Sequence, residues 1–125
     1  MSEVIVSLGS NINPDENIRQ ACSILENEYE VIARSPFVKT KPIGFTQQPD
    51  FINGCITVKT SLSQAEFSEY LKKTEIRMGR IRTENKNGPR TIDLDIVVWD
   101  GEIVNNDYYE KSFVQDAVDQ LLKQI

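Results

Sequence analysis

The chain has 125 residues, of which 14 are Lys or Arg, 19 are Asp or Glu and none is His, so its net charge is −5. This length suits one core, and we expect a single domain over residues 1–125. The acidic balance argues against a general nucleic-acid-binding protein. The lack of histidine excludes histidine-ligated zinc sites and histidine acid–base catalysis.

The cysteines and the opening residues indicate a reduced, soluble protein. Cys22 and Cys55 are its two cysteines, and the first residues have neither the basic region nor the long apolar run of a secretory signal. No apolar stretch is long enough to span a bilayer. We therefore expect a cytoplasmic protein without membrane or nucleic-acid partners. The sequence does not decide the oligomeric state, and a monomer is the simpler expectation.

The first half of the chain predicts strands and one helix, from its apolar spacing and its turn residues. Asn13 and Pro14 start the helix as N-cap and N1 residues, and Pro36 interrupts the second strand. The loop after that strand is long enough to favour a functional role. In order, we predict a strand over 4–8, a turn over 9–11, a helix over about 13–28, a strand over 31–40 and a loop over 41–49.

Residues 51–60 predict a third strand whose alternation places Phe51 and Asn53 on one face. Such a pair could bind a flat heterocycle, because the amide offers a donor and an acceptor and the ring offers apolar area. The competing interpretation is a core aromatic beside a buried, satisfied amide, and the residues alone favour it. Ser63 then opens a second helix with a capping box, and Gly79 ends this helix.

Two charged features follow the second helix. The first is a polar segment with five cations, which suits a polyphosphate because guanidinium groups bind phosphate oxygens in pairs. The competing interpretation is a solvated run of charge. The cations are Arg77, Arg80, Arg82, Lys86 and Arg90.

The second feature is a strand over about 91–99, where polar and apolar residues alternate. Two carboxylates on one strand face form a doubly negative oxygen site of the kind that magnesium prefers. The competing interpretation is a solvent-facing strand that carries two aspartates, although Asp is depleted in strands. The alternation places Asp93 and Asp95 on one face and Ile92, Leu94, Ile96 and Val98 on the other.

The chain then predicts a hairpin and a closing helix. Asp100 and Gly101 form a hairpin-type turn into residues 102–104, and 108–125 carry the apolar stripe of a helix. The order β-α-β-β-α-β predicts an α+β, ferredoxin-like sandwich with helices on one face of an antiparallel sheet, followed by this hairpin and helix.

Four segments resemble motifs of the 6-hydroxymethyl-7,8-dihydropterin pyrophosphokinases, a family of folate-pathway enzymes. They cover about residues 1–105 and occur in the family's order. The segments are Ser7-Leu8-Gly9-Ser10-Asn11, Gln48-Pro49-Asp50-Phe51-Ile52-Asn53, Glu75-x-x-x-Gly79-Arg80 and Gly88-Pro89-Arg90-Thr91-Ile92-Asp93-Leu94-Asp95-Ile96. The resemblance implies the same ferredoxin-like architecture. It also implies transfer of a pyrophosphoryl group from ATP to the hydroxymethyl group of the pterin, which leaves AMP.

The resemblance further implies roles for single residues. Asp93 and Asp95 match the ligands of two magnesium ions that bridge to the ATP phosphates. The implied catalytic residues are Arg80, Arg82, Arg90, Asp93 and Asp95, and the implied nucleotide contacts are Glu75, Arg82, Arg90 and Ile96. The implied pterin contacts are Thr40, Ile43, Phe51, Asn53 and Phe113. For Phe113, a place in the apolar stripe of the last helix is an equally good interpretation of the pattern.

The chain also departs from the family pattern. Asn87 stands where the family has an aromatic residue, Lys111 stands where it has Arg, and a histidine-containing segment is missing. One alternative is therefore a weakened relative that binds pterin or nucleotide without efficient turnover. Another is a ferredoxin-like oligomerisation domain with a solvent-facing Asp pair. Magnesium-dependent release of AMP would distinguish the enzyme from both.

Overall fold

A computed structural model describes residues 1–44, 46–80 and 89–123, and these form a six-stranded sheet with helices on both faces. The predicted α+β, ferredoxin-like class is confirmed. None of the helices in these three ranges is long and apolar enough to cross a membrane. In chain order the elements are β1 (Ser2–Ser10), α1 (Pro14–Glu28), β2 (Glu30–Arg34), β3 (Val38–Thr40), β4 (Phe51–Thr60), α2 (Gln64–Arg77), β5 (Asp93–Trp99), β6 (Glu102–Ile103), α3 (Asp107–Glu110) and α4 (Ser112–Leu122).

The sheet is built around β1, which pairs antiparallel with β4 on one side and with β5 on the other. The strand order is β2-β4-β1-β5-β6, and β3 pairs with the first residues of β4. The second predicted strand divides into β2 and β3 around Pro36, as its sequence predicted. The Ser35 hydroxyl accepts a hydrogen bond from the Cys55 backbone N–H (2.9 Å) at this break.

The helix starts follow the predicted positions. Ser63 and Glu66 form both hydrogen bonds of the capping box at α2. Asn13 occupies the N-cap position of α1, but its backbone is left-handed (φ 41°) and its side chain does not cap the helix. The neighbouring Ile12 carbonyl instead accepts a hydrogen bond from the Asn17 amide.

The single closing helix predicted over 108–125 is wrong. The described residues form α3 and α4, and the two are separated at Lys111, whose backbone is extended. The backbone N–H of Lys111 closes α3 on the Asp107 carbonyl, and its ammonium group pairs with the Asp107 carboxylate at 3.2 Å. The apolar stripe lies within α4, after the break, so it could not show where the helix that carries it begins.

Two apolar layers enclose the sheet. Helices α1 and α2 cover one face, where Leu25 and Phe67 pack among the inward residues of β1, β4 and β5. Helix α4 covers the opposite face, where Val118 and Leu121 pack against Ile5 and the end of β5. The sheet end that α4 leaves open carries the candidate site.

The alternation along β5 reverses at a β-bulge. The register passes from Ile96, which pairs with Val6, to Val98, which pairs with Ile5, and leaves Val97 as an extra residue. Val98 consequently packs with α4. Its predicted place on the other face is wrong, because residue periodicity does not show an inserted residue. The residues before the bulge keep their predicted faces.

Candidate functional site

The register of the three central strands brings the predicted polar residues together. Gly9 on β1 pairs with Asn53 on β4 and with Asp93 on β5. Ser7, two residues earlier on β1, pairs with Asp95 on β5. Paired residues point to the same face of a sheet. The amide and both carboxylates therefore lie on the α4 side, at the open end of the sheet.

The residues predicted to bind a pterin line one cavity of about 150 Å³. Its lining includes Thr40, Ile43, Phe51, Asn53 and Phe113 together with Arg90, Asp93 and Asp95. The Asn53 amide donates a hydrogen bond of 2.5 Å to the Thr40 hydroxyl, which fixes the orientation of the amide. The cavity thus joins an apolar and amide-bearing part to a carboxylate-bearing part.

Asp93 is held by two arginines. Arg80 contacts its Oδ1 at 3.0 Å and Arg90 contacts its Oδ2 at 2.6 Å. Burial acts to raise the pKa of Asp93, but the positive charges of Arg90 and Arg80, with Lys72 further away, outweigh it and hold that pKa below its ordinary value. Asp93 is therefore ionised at neutral pH.

Asp95 has a different environment. Its Oδ1 lies 3.0 Å from the ammonium nitrogen of Lys72. Burial and the neighbouring charge of Asp93 together raise the pKa of Asp95 above its ordinary value, although Lys72 opposes them. An added cation would relieve this unfavourable negative charge, which is the electrostatic condition for a metal ligand.

Glu75 lies beneath both aspartates and is only 1% exposed. Its Oε1 accepts from Arg80 at 2.7 Å, and its Oε2 accepts from the Leu94 backbone N–H at 2.7 Å and from Lys72 at 3.1 Å. Both carboxylate oxygens therefore have partners within the protein. The nucleotide contact implied for Glu75 stays a prediction.

Lys72 also belongs to the site, although no sequence motif indicated it. It lies three residues before Glu75 on α2, and therefore on the same helix face. That spacing could have indicated Lys72 as a partner of Glu75. Lys72 was not grouped with the cations, however, because it precedes the cationic segment that begins at Arg77.

The amino-terminal motif has a connecting role. The Asn11 side chain donates to the Gln48 side chain (2.8 Å) and to the Pro49 carbonyl (3.1 Å), and it accepts from the Arg90 backbone N–H (2.8 Å). It therefore ties together the segments that precede β4 and β5. The predicted turn over 9–11 is displaced, because Gly9 and Ser10 still pair within β1.

Ile96, a predicted nucleotide contact, does not line the cavity. The side chain of Ile96 is buried in the layer beneath α1 and α2, so its implied nucleotide contact stays a prediction. Arg82 lies outside the described residues, as do Lys86 and Asn87.

The donor set fits magnesium. Asp93 and Asp95 offer hard carboxylate oxygens on one face, and their side chains are 23% and 29% exposed. Within the three described ranges, no group of three or more His, Cys, Asp or Glu side chains is arranged so that it could hold a metal ion. The protein would therefore supply two carboxylates, and water and phosphate oxygens would complete the usual coordination of the ion.

Comparisons with known proteins find related sequences over most of the chain. Residues 5–123 match the family described as 7,8-dihydro-6-hydroxymethylpterin-pyrophosphokinase (HPPK). The 2-amino-4-hydroxy-6-hydroxymethyldihydropteridine pyrophosphokinase of Haemophilus influenzae is 36% identical, over 86% of this chain and 68% of that protein. The protein of the same name from Bacillus subtilis is 33% identical, over 96% of this chain and 78% of that protein. The one from Synechocystis is 41% identical, over 76% of this chain and 49% of that protein.

Proposed function

Because the chain belongs to the 7,8-dihydro-6-hydroxymethylpterin-pyrophosphokinase family, we propose that it is an ATP-dependent pyrophosphokinase of folate biosynthesis. It transfers pyrophosphate from ATP to 6-hydroxymethyl-7,8-dihydropterin and releases AMP. The observation that carries this proposal is the single cavity shared by Asn53, Phe51 and the two aspartates.

The transfer is a displacement at the β-phosphorus of ATP. The hydroxymethyl oxygen of the pterin forms a bond to that phosphorus, the bond to the α–β bridging oxygen breaks, and AMP keeps that oxygen. The hydroxyl proton is released. Such a reaction needs in-line positioning and neutralisation of phosphate charge more than covalent help from the protein.

The apolar part of the cavity would hold the pterin. Phe51 and Phe113 offer two aromatic walls, and Asn53 offers an amide already oriented by Thr40. A flat ring between two aromatic side chains gains burial and stacking. Ile43, whose side chain is exposed at the rim, would cover the outer edge of the ring.

The charged part would hold the phosphates. Asp93 and Asp95 would bind magnesium, with two ions expected, and the bound metal would neutralise and align the phosphate oxygens. Arg80 and Arg90 lie beside Asp93 and would contact the phosphates as charge develops during transfer. Arg82 would add a further cation, by its resemblance to the family motif.

The proposal is tested by incubating the protein with ATP, magnesium and 6-hydroxymethyl-7,8-dihydropterin and by measuring AMP. We expect AMP only when all three are present, and we expect Asp95→Asn to abolish its release. Asp116→Asn removes an exposed carboxylate of α4 and serves as the matched control with normal release. Pterin binding without AMP would refute the enzymatic function.

We propose that the partners are the small-molecule substrates alone and that the protein acts in the cytoplasm as a monomer. Light scattering on the purified protein, with and without both substrates, measures the oligomeric state. A stable dimer would contradict that proposal without affecting the proposed reaction.

A further inference from the structure

Lys72 joins helix α2 to the metal-type carboxylates. Its ammonium nitrogen lies 3.0 Å from Oδ1 of Asp95, 2.8 Å from the Leu94 carbonyl oxygen and 3.1 Å from Oε2 of Glu75. An ammonium group has three N–H donors, and three acceptors surround this one. Two of the three, on Leu94 and Glu75, do not belong to a predicted metal ligand, so Lys72 is anchored independently of Asp95.

Two chains of ion pairs start at the buried Glu75 carboxylate and lead to the two aspartates. One oxygen of the buried Glu75 carboxylate binds Arg80, which continues to Asp93, and the other binds Lys72, which continues to Asp95. Each aspartate is therefore neutralised by a cation that the same buried anion holds in place. Arg80 already has an implied role in the reaction, whereas nothing so far assigns one to Lys72.

We propose that Lys72 is a positioning residue that acts as an internal counter-cation of the metal site. It orients and neutralises Asp95 in the metal-free protein, and it competes with the divalent cation for that carboxylate. The inference rests on the proposed function, in which Asp95 binds magnesium. Because Leu94 and Glu75 keep the ammonium group near the site, its charge opposes the incoming metal ion.

This competition sets the concentration of divalent cation at which the site fills. Lys72→Met keeps the length of the side chain but removes the charge. We expect it to bind Mn²⁺, the probe ion, about two- to tenfold more tightly, as a partly exposed charge pair would allow. The same variant should melt at a lower temperature in EDTA, since Glu75 and Asp95 then lose a partner in the metal-free protein.

The test is a Mn²⁺ titration without nucleotide, followed by electron paramagnetic resonance, with melting curves in EDTA beside it. Lys73→Met is the matched control, because Lys73 is the next residue, carries the same charge and pairs with Glu69 at the solvent (73% exposed). We expect Lys73→Met to match the wild type. Lys72→Arg keeps the charge and should restore Mn²⁺ affinity toward the wild-type value. Lys72→Gln is the second neutral variant in case Lys72→Met does not fold.

The outcomes separate this inference from the proposed function. If Asp95→Asn loses Mn²⁺ binding but the neutral Lys72 variants bind Mn²⁺ as the wild type does, or more weakly, the counter-cation role is overturned and the metal site stands. If Lys72 were only structural, its neutral variants would melt at a lower temperature but would bind Mn²⁺ no more tightly than the wild type. If the wild type shows no Mn²⁺ binding that depends on Asp95, this inference is overturned, and AMP release in the full reaction decides the proposed function by itself.

Discussion

Gly9 and Asn53 are register partners on neighbouring strands, and the Asn53 carboxamide lies directly over the glycine: a Cβ at Gly9 would lie 2.6 Å from the Asn53 Oδ1. Gly9→Ala should therefore displace the amide from its place beside Thr40. We expect pterin binding to weaken about tenfold, a loss of about 1.4 kcal/mol, with ATP affinity nearly unchanged. Calorimetry with each ligand measures both.

A double-mutant cycle tests whether this effect passes through the amide. In an Asn53→Ala background the added methyl group has no carboxamide to displace, so Gly9→Ala should cost little further affinity. Equal losses in both backgrounds would show that the strand, and not Asn53, carries the effect.

The two aspartates should respond oppositely to neutralisation in the metal-free protein. The lowered pKa of Asp93 means that the folded state favours its ionised form. Asp93→Asn should therefore destabilise the fold at pH 7, by on the order of 1–3 kcal/mol for lost hydrogen bonds to charged groups. The raised pKa of Asp95 means that ionisation is unfavourable in the folded state, so Asp95→Asn should leave stability unchanged or increase it.

The sign of each shift sets a pH dependence. The stabilising effect of Asp93 is present above the unfolded-state pKa near 4 and is lost as the pH falls through its lower folded-state pKa. For Asp95, the favourable contribution is present below the unfolded-state pKa and is lost as the pH rises through its higher folded-state pKa. Denaturant unfolding in EDTA from pH 3 to 7 measures both. A destabilised Asp95→Asn at pH 7 would contradict this assignment.

Arg80 and Asn53 should affect different kinetic parameters. Loss of Asn53 removes a contact to the bound pterin, so Asn53→Ala should raise the pterin KM. Loss of an arginine removes charge that the transition state needs, so Arg80→Ala and Arg82→Ala should lower kcat. Arg80→Ala should also lower the melting temperature, because it removes a partner of the buried Glu75.

Steady-state kinetics with both substrates, together with melting curves, separate these effects. Arg77→Ala is a suitable control, since Arg77 is an exposed cation of α2 that pairs with Glu28 at 3.0 Å. A normal kcat in Arg82→Ala, or a normal pterin KM in Asn53→Ala, would refute the assigned role.

Phe113 lines the cavity and also packs partly against the layer beneath α4. Phe113→Ala should weaken pterin binding about tenfold because an aromatic wall of the cavity is lost. Leu122→Ala is the control, since Leu122 packs partly against the same layer from the same helix. If both variants reduce stability alike and neither changes pterin affinity, Phe113 is only a core residue.

Local chemistry in the sequence determined most of the architecture. The capping box at Ser63, the break at Pro36 and the shared face of Asp93 and Asp95 are all consequences of residue type and short spacing. These features could be predicted because the residues involved are close in sequence or share a simple period.

Features that depend on distant partners could not be predicted. The bulge at Val97 arises where β5 changes register against β1, and the two apolar layers on either side of the sheet make this reversal favourable. Lys72 becomes part of the site only because α2 packs against the start of β5, where Lys72 contacts the Leu94 carbonyl. The i,i+3 spacing indicates that Lys72 shares a helix face with Glu75, but it cannot show that this face meets β5.

The central position of β1 has a consequence for the time course of folding. The Ser10 hydroxyl donates a hydrogen bond to the Thr91 carbonyl, 81 positions away, and both neighbours of β1 are distant from it in sequence, β5 more so than β4. Joining such distant segments costs loop entropy and slows folding. The side of the cavity that carries the Asn53 amide, on β4, can form before the side that carries Asp93 and Asp95, on β5. A refolding chain should therefore form the Asn53 side of the pterin site before it can bind metal and nucleotide, so that the appearance of AMP release reports completion of the sheet.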